Sequence, residues 1–406
     1  MSTGGKMRKI APLFAVILLS LTVAIVVSQE PPIHHIVGTG QSLSVGGQSV
    51  AHTSASPDGH LALSRDRTAF LSPLAEPVAR AQVQETHHSS MAAMIDALAP
   101  EHVTLHTAAG VGGCEYDCLK QDGTGDVYAL SLAQMAAARD LALAAGREYV
   151  VSAVSLVHGE ADHRLGTTTY YSDMLELQSD YQADAQALTG QSAPVPLFLS
   201  QMSSWTVYGS VTSTIPLDQL RAAVDSPGVV MVMPKYVLPY ADDGLHLTWQ
   251  GYQQMGEQYG KVYSHVVVQG QPWEPLRPLS VVAIGRHLYV RFHVPVPPLV
   301  LDTEHVTDPG AYGFEVWPPV SIESVQIVGP SVVRVTLDHA PAEETLLRYA
   351  YTGTPGAGGG PITGARGNLR DSDDTPSPHG YDMWNWCVHF DEPVRAGYRV
   401  FFPVAY

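Results

Sequence analysis

The stretch YVVSAVSLVHGEAD, Tyr149 to Asp162, decides the fold. Tyr149 to Val157 is apolar and β-branched with no polar alternation, the pattern of a strand covered on both faces. The chain then turns sharply polar at His158-Gly159-Glu160-Ala161-Asp162. In open parallel sheets, ligands bind just beyond the carboxyl ends of the strands. An ionisable cluster in that position therefore marks the place of chemistry as well as the sheet.

On either side, strands and helices alternate. Strands are expected at Ile33–Val37, His102–Thr107, Val195–Met202 and Val229–Met233. Helical spacing is expected at Thr86–Leu98, with Met91, Met94, Ile95 and Leu98 on one side, and at Leu130–Ala145, which stops at Gly146. Further helices are expected at Thr169–Leu188, stopping at Gly190, at Pro216–Val224, and at Thr248–Val262. Such alternation predicts a parallel sheet between two helical layers over residues 29–270. The pattern changes at Gln271–Pro278, a proline-rich linker. Short strand candidates follow at Ser280–Ile284, His287–His293, Ser324–Val328, Val332–Leu337, Leu346–Tyr351 and Tyr398–Val404, predicting a C-terminal β-sandwich over residues 271–406.

The 406 residues are too many for one core, and 45% apolar with 15% charged residues is a globular composition. A formal net charge of −17 excludes nucleic acid and anionic membrane surfaces as partners, because both need a cationic face. Lys6, Arg8 and Lys9 precede an uncharged run from Ile10 to Val27, and Ser28 follows. This is an export signal over residues 1–28, cleaved after Ser28; the same run is also long enough to remain as an N-terminal membrane anchor. Both readings put the body of the protein outside the cytoplasm. Cys114 and Cys118 are close enough to pair in that compartment, although all three cysteines, with Cys387, also fit buried thiols.

Four segments carry candidate chemistry. Gly38-Thr39-Gly40-Gln41-Ser42 places a serine on a tight turn directly after a strand, where its hydroxyl can stand above the sheet. Ala109 to Gly113 is a glycine-rich turn after another strand, and it lets backbone approach a substrate. His158 to Asp162 is the third. Asp243-Gly244-Leu245-His246-Leu247-Thr248 is the fourth. In it, a carboxylate three residues before a histidine can bond the ring's Nδ1 and leave Nε2 free as a base, while Thr248 caps the next helix. Asp242 is a rival carboxylate whose spacing fits worse. His158, Asp162 and His163 could be metal ligands, but no second ligand set with metal spacing follows, so no metal or cofactor is expected.

Together, Gly40-Gln41-Ser42, Gly112-Gly113, Gly159-Glu160-Ala161-Asp162 and Asp243–Thr248 resemble the SGNH (GDSL-like) hydrolase superfamily, and within it the sialate O-acetylesterase-like carbohydrate esterases. The resemblance covers Ile33 to Val268 and not the C-terminal region. It implies a three-layer α/β/α domain with a flavodoxin-like parallel sheet. It also implies a Ser42 nucleophile, a His246 base, an orienting Asp243, and an oxyanion hole from Ser42, Gly112 and His158. Gln41 and Glu160 would support the nucleophile loop. His158 stands where the related enzymes carry glutamine, Leu43 where asparagine is commoner, and Cys114 where threonine is usual. The expected substrate is an acetylated carbohydrate or another small ester. The alternatives are a general lipase-like esterase and an inactive, exported carbohydrate-binding or surface protein.

Overall fold

In the computed structural model, β1 (Ile33–Gly40) and β5 (Tyr149–Val157) lie side by side at the middle of a seven-stranded sheet. The residues described are 1–5, 30–50, 52, 56–78 and 84–397. The run Ile10–Val27 and the strand expected at Tyr398–Val404 lie outside them. The sheet also contains β2 (Leu61–Leu63), β3 (Phe70–Leu71), β4 (Thr104–Ala108), β6 (Leu197–Gln201) and β7 (Val229–Pro234). The order is β3-β2-β4-β1-β5-β6-β7, and every pairing is parallel except the β2–β3 edge. The absence of alternation in Tyr149–Val157 has the expected cause: all but one of its residues are buried.

Two helical layers do the covering. Helices α1 (His88–Leu98) and α7 (Trp249–Tyr263) lay Met91, Ile95, Met255 and Tyr259 against Ile36, Ala153 and Phe198. Between them in sequence come α2 (Tyr116–Leu119), α3 (Val127–Ala144), α4 (Glu160–Leu165), α5 (Tyr170–Thr189) and α6 (Ile215–Asp225). From the opposite face, α3, α5 and α6 place Met135, Leu177, Tyr181 and Leu220 against Val37, Val154 and Leu199. After β1 the chain builds β2, β3 and β4 on one side of it and then crosses over to β5 on the other. That reversal opens the crevice at the carboxyl ends of these three strands.

The β-rich C-terminal region contains β8 (Arg277–Ile284), β9 (His287–His293), β10 (Val300–Leu301), β11 (Phe314–Trp317), β12 (Ile322–Gly329), β13 (Val332–Leu337), β14 (Leu346–Tyr349), β15 (Leu369–Arg370) and β16 (Phe390–Ala396). Strand β16 lies inside one seven-stranded sheet ordered β11-β14-β16-β8-β9-β13-β12. Phe390–Pro393 pairs antiparallel with β14, and Val394–Ala396 runs parallel to β8. Sequence reading misses β16 because Asp391, Glu392 and Pro393 are poor strand formers, and proline is tolerated only where it owes no ladder hydrogen bond.

From Pro31 onward the chain is one compact unit, and its largest hydrophobic cluster runs from the α3–α5 layer into the C-terminal strands without a break. Polar bonds stitch the same junction. The Gln201 side chain donates to His389 O at 3.0 Å and accepts from His389 N at 2.8 Å. Tyr236 Oη donates to Cys387 O at 2.7 Å. The aromatic group around Trp386 and His389 is therefore interface packing, with Tyr236 and Trp205 edge-on to it.

Beneath α1 lies a string of buried histidines. His35 bonds Tyr149 Oη at 2.6 Å and Thr107 Oγ1 at 2.8 Å. His87 bonds Ser155 Oγ at 2.6 Å, and His88 meets His106 ring nitrogen to ring nitrogen at 3.2 Å. Burial disfavours the charged form of all four rings, and His88 adds repulsion on His35, His87 and His106. His35 and His88 are pushed down to about 3 from the ordinary 6.5. Across that window the unfolded chain binds protons that the folded chain refuses, so folding stability is lost as pH falls. Urea midpoints are expected to hold above pH 6.5 and to drop steadily towards pH 3, by up to about 1.4 kcal/mol per pH unit for each ring. A His88→Gln variant that keeps the parent slope would contradict this account.

Candidate active site

The Ser42 turn grows directly from β1. Gln41 N donates to Val157 O at 3.2 Å, tying the strand's exit to β5. Ser42–Val45 then closes a single 3-10 turn, locked by Ser44 Oγ donating to Gln41 O at 2.7 Å. This places Ser42 above the carboxyl edge of the sheet. From the far end of the sequence, the Asp243–Thr248 loop leads into α7, and Thr248 Oγ1 accepts from Gly251 N as the helix cap.

The two loops meet. His246 Nε2 lies 2.8 Å from Ser42 Oγ, and His246 Nδ1 lies 2.7 Å from Asp243 Oδ2. Asp243 Oδ1 also accepts the backbone N–H groups of Leu245 and His246, each at 2.9 Å. Burial alone would raise the Asp243 carboxyl, but these bonds, the His246 ring first among them, outweigh it and hold the group below the usual carboxylate value. Asp243 is thus kept ionised and aimed at one edge of the ring. Asp242 is exposed and makes none of these bonds.

Gly112 approaches from the β4 loop, near enough that a Cβ on it would sit 3.9 Å from Ser42 Cβ. The neighbouring N–H groups of Val111 and Cys114 are taken by Gly40 O and Val111 O. Among the described residues, the N–H groups of Ser42, Gly112 and Gly113 have no protein acceptor, and all three residues line the cleft. A Cys114–Cys118 disulfide follows directly after this loop. The cleft has a volume of about 360 Å³ and is lined by Ser42, Gly112, Arg164, Tyr208, Leu245 and His246 among others.

His158 is not at the cleft, which corrects its expected place among the oxyanion donors. Its ring is buried, with Nδ1 on Tyr170 Oη at 3.0 Å and Nε2 on Cys114 O at 2.9 Å. With both nitrogens engaged, it braces the disulfide loop instead. His158 and Asp162 lie 3.4 Å apart, whereas His163 turns away to Ser213.

Glu160 sits directly under the nucleophile. Its carboxylate accepts Gln41 Nε2 at 3.0 Å and Ser204 Oγ at 3.3 Å, and it forms a fully buried ion pair with Lys235. Gln41 Oε1 in turn accepts Ala161 N at 3.2 Å. The amide next to the nucleophile is therefore fixed at both ends. Lys235 carries no sequence signal, since a lysine after a strand is ordinarily solvated.

Sequence reading also misses two close approaches. A Cβ on Gly47 would fall 2.8 Å from His246 Cδ2 and 3.0 Å from Ser42 Cβ, so only glycine leaves room for both side chains there. From the C-terminal region, the loop Gly356–Gly360 presses on the His246 loop. Gly359 N donates to Gly244 O at 2.8 Å, and a Cβ on Gly244 would meet Gly358 Cα at 2.4 Å.

No protein-family model matches the sequence, and no curated protein matches it. Solved structures do resemble the fold. A carbohydrate acetylesterase from Xanthomonas citri aligns over 88% of this chain and 80% of its own, at 14% identity and a TM-score of 0.54. A protein from Arabidopsis thaliana aligns over 57% of this chain and 98% of its own, at 20% identity and a TM-score of 0.45. A carbohydrate acetylesterase from Sinorhizobium meliloti aligns over 58% and 99%, at 14% identity and a TM-score of 0.34. The chain shares its overall fold with the Xanthomonas protein, and that likeness, over 88% of the chain, extends into the C-terminal region.

Two substitutions test this geometry. Gly47→Ala is expected to lower turnover of a small ester at least tenfold with little change in thermal midpoint, because a 1 Å misplacement of reacting groups can cost as much as a hundredfold. Lys235→Met is expected to cost about 3–5 kcal/mol in urea unfolding by stranding the Glu160 charge. Adding Glu160→Gln should recover part of that loss, and additive losses would disprove the pairing.

Proposed function

We propose that this chain is an exported serine esterase that removes O-acetyl or similarly small acyl groups from a carbohydrate. The observation that carries the reading is the unbroken row from Asp243 through His246 to Ser42 at the mouth of a small cleft. In the first step, Ser42 Oγ attacks the ester carbonyl while His246 Nε2 takes its proton. The carbonyl oxygen becomes an oxyanion beside the open N–H groups of Ser42 and Gly112. Collapse breaks the bond to the sugar oxygen, and His246 returns the proton to that alcohol. Water then repeats the attack on the acyl-serine, and acid and Ser42 are released. Asp243 stabilises the imidazolium without taking its proton. The disulfide and the basic-then-apolar N-terminus support export.

Ser42→Ala is expected to reduce hydrolysis of p-nitrophenyl acetate by about 10⁴-fold or more without changing the melting temperature. Parent-level hydrolysis by that variant would sink the assignment. A general small-ester hydrolase shares the row and differs in substrate, so acetate release from acetylated polysaccharides separates the two. Failure of a fluorophosphonate probe to label Ser42 would favour an inactive binding protein.

A further inference from the structure

We propose that the outer face of the C-terminal sheet around Trp317 is a binding subsite for a neutral glycan chain whose acetylated residue occupies the Ser42 cleft. This rests on the esterase reading above. The site is a concavity of about 860 Å³, more than twice the 360 Å³ of the Ser42 cleft. Val211, Thr212, Glu315, Trp317, Arg348 and Thr352 stand around it. Trp317 is 49% exposed. A single exposed apolar side chain needs no explanation, but an indole beside a large concavity with convergent polar groups is a binding arrangement.

Strand register supplies those groups. Glu315 and Trp317 are the outward-facing residues of β11. Glu315 pairs across to Arg348 on β14, and Arg348 pairs across to Asp391 on β16. The result is a carboxylate–guanidinium–carboxylate row. The Arg348 guanidinium is held 5.1 Å from the Trp317 ring centre and 4.8 Å from that of Tyr351, with Nε 3.2 Å from Asp391 Oδ1. The row offers donors and acceptors together, as vicinal hydroxyls require. Of the three, Glu315 and Arg348 line the concavity and offset one another there, so the site has no net charge to draw an ion and fits an uncharged sugar. The apolar face of a sugar ring stacks on the indole while its hydroxyls reach the row.

The two clefts share one segment. Tyr208 lines the Ser42 cleft, and Val211 and Thr212 line the Trp317 concavity. Val211 stands three positions after Tyr208, so their backbones are about 10 Å apart or closer. Gly353 N donates to Val211 O at 2.9 Å and fixes that lip to the C-terminal region. One chain of linked sugars can therefore occupy both.

Trp317→Ala and Arg348→Met would be compared with the parent on p-nitrophenyl acetate and on four polymers: acetylated xylan, acetylated glucomannan, acetylated pectin and acetylated alginate. The expected result is unchanged kinetics on the small ester and an unchanged kcat on xylan or glucomannan. KM on that polymer should rise about tenfold, the worth of a lost aromatic stack. An unchanged polymer KM would overturn the proposal, as would a parallel loss on the small ester, which marks a merely structural role. Activity confined to pectin or alginate would overturn the neutral-glycan assignment. If the parent fails on the small ester, the esterase reading falls. Affinity electrophoresis of the Ser42→Ala protein in xylan and glucomannan gels then tests the subsite alone, and no Trp317-dependent retardation would end it.

Discussion

A single carboxylate, buried below the Ser42 turn, holds the upper rim of the sheet together. Glu160 receives the Gln41 amide from the β1 turn, the Ser204 hydroxyl from beyond β6 and the Lys235 ammonium from the end of β7. Three strand exits thereby converge on one group with no access to water. Charges in such a place contribute little net stability, because desolvation consumes what attraction returns. What they impose is geometry: each partner that drifts leaves an unpaired charge or amide behind. Gln41 adjoins Ser42, so the requirement to satisfy Glu160 becomes a requirement on where the serine stands.

The opposite wall of the site is set from outside the α/β layers. The loop that carries Asp243 and His246 is gripped by Gly359 and crowded by Gly358 of the C-terminal region. Ser42 is thus positioned from below and His246 from the side, by parts of the chain more than a hundred residues apart. Gly47 fits between them with room for no side chain.

Much of this was legible in advance, for a definable reason. A buried parallel strand announces itself through an unbroken apolar run, as in Tyr149–Val157, and an antiparallel one through alternation, as in His287–His293; both appear in the fold with the expected bounds. The row of three side chains was legible because its members sit at strand exits. The local motif alone would not have sufficed. Asp302-Thr303-Glu304-His305 builds the same turn, with Asp302 Oδ1 accepting the N–H groups of Glu304 and His305 and its other oxygen 3.0 Å from His305 Nδ1. There Nε2 faces Asp382 at 3.4 Å, not a serine. Position in the sheet, not spacing, distinguishes the two. What stayed hidden depends on long-range contact. His158 could be placed after β5, but not seen to turn inward to Tyr170 and Cys114. Lys235, the histidine string and the glycine clamp acquire meaning only from neighbours that the chain brings in from afar.

Strand β16 joins the β14 and β8 sides of the C-terminal sheet, and the cluster it belongs to continues into the α/β layers. The proline-rich stretch at Gln271–Pro278 therefore marks a change of architecture without marking a seam. Recombination at that point would part a shared interior and the clamp on His246 in one stroke. The two halves therefore hold one another's geometry, and neither keeps the His246 loop in place alone.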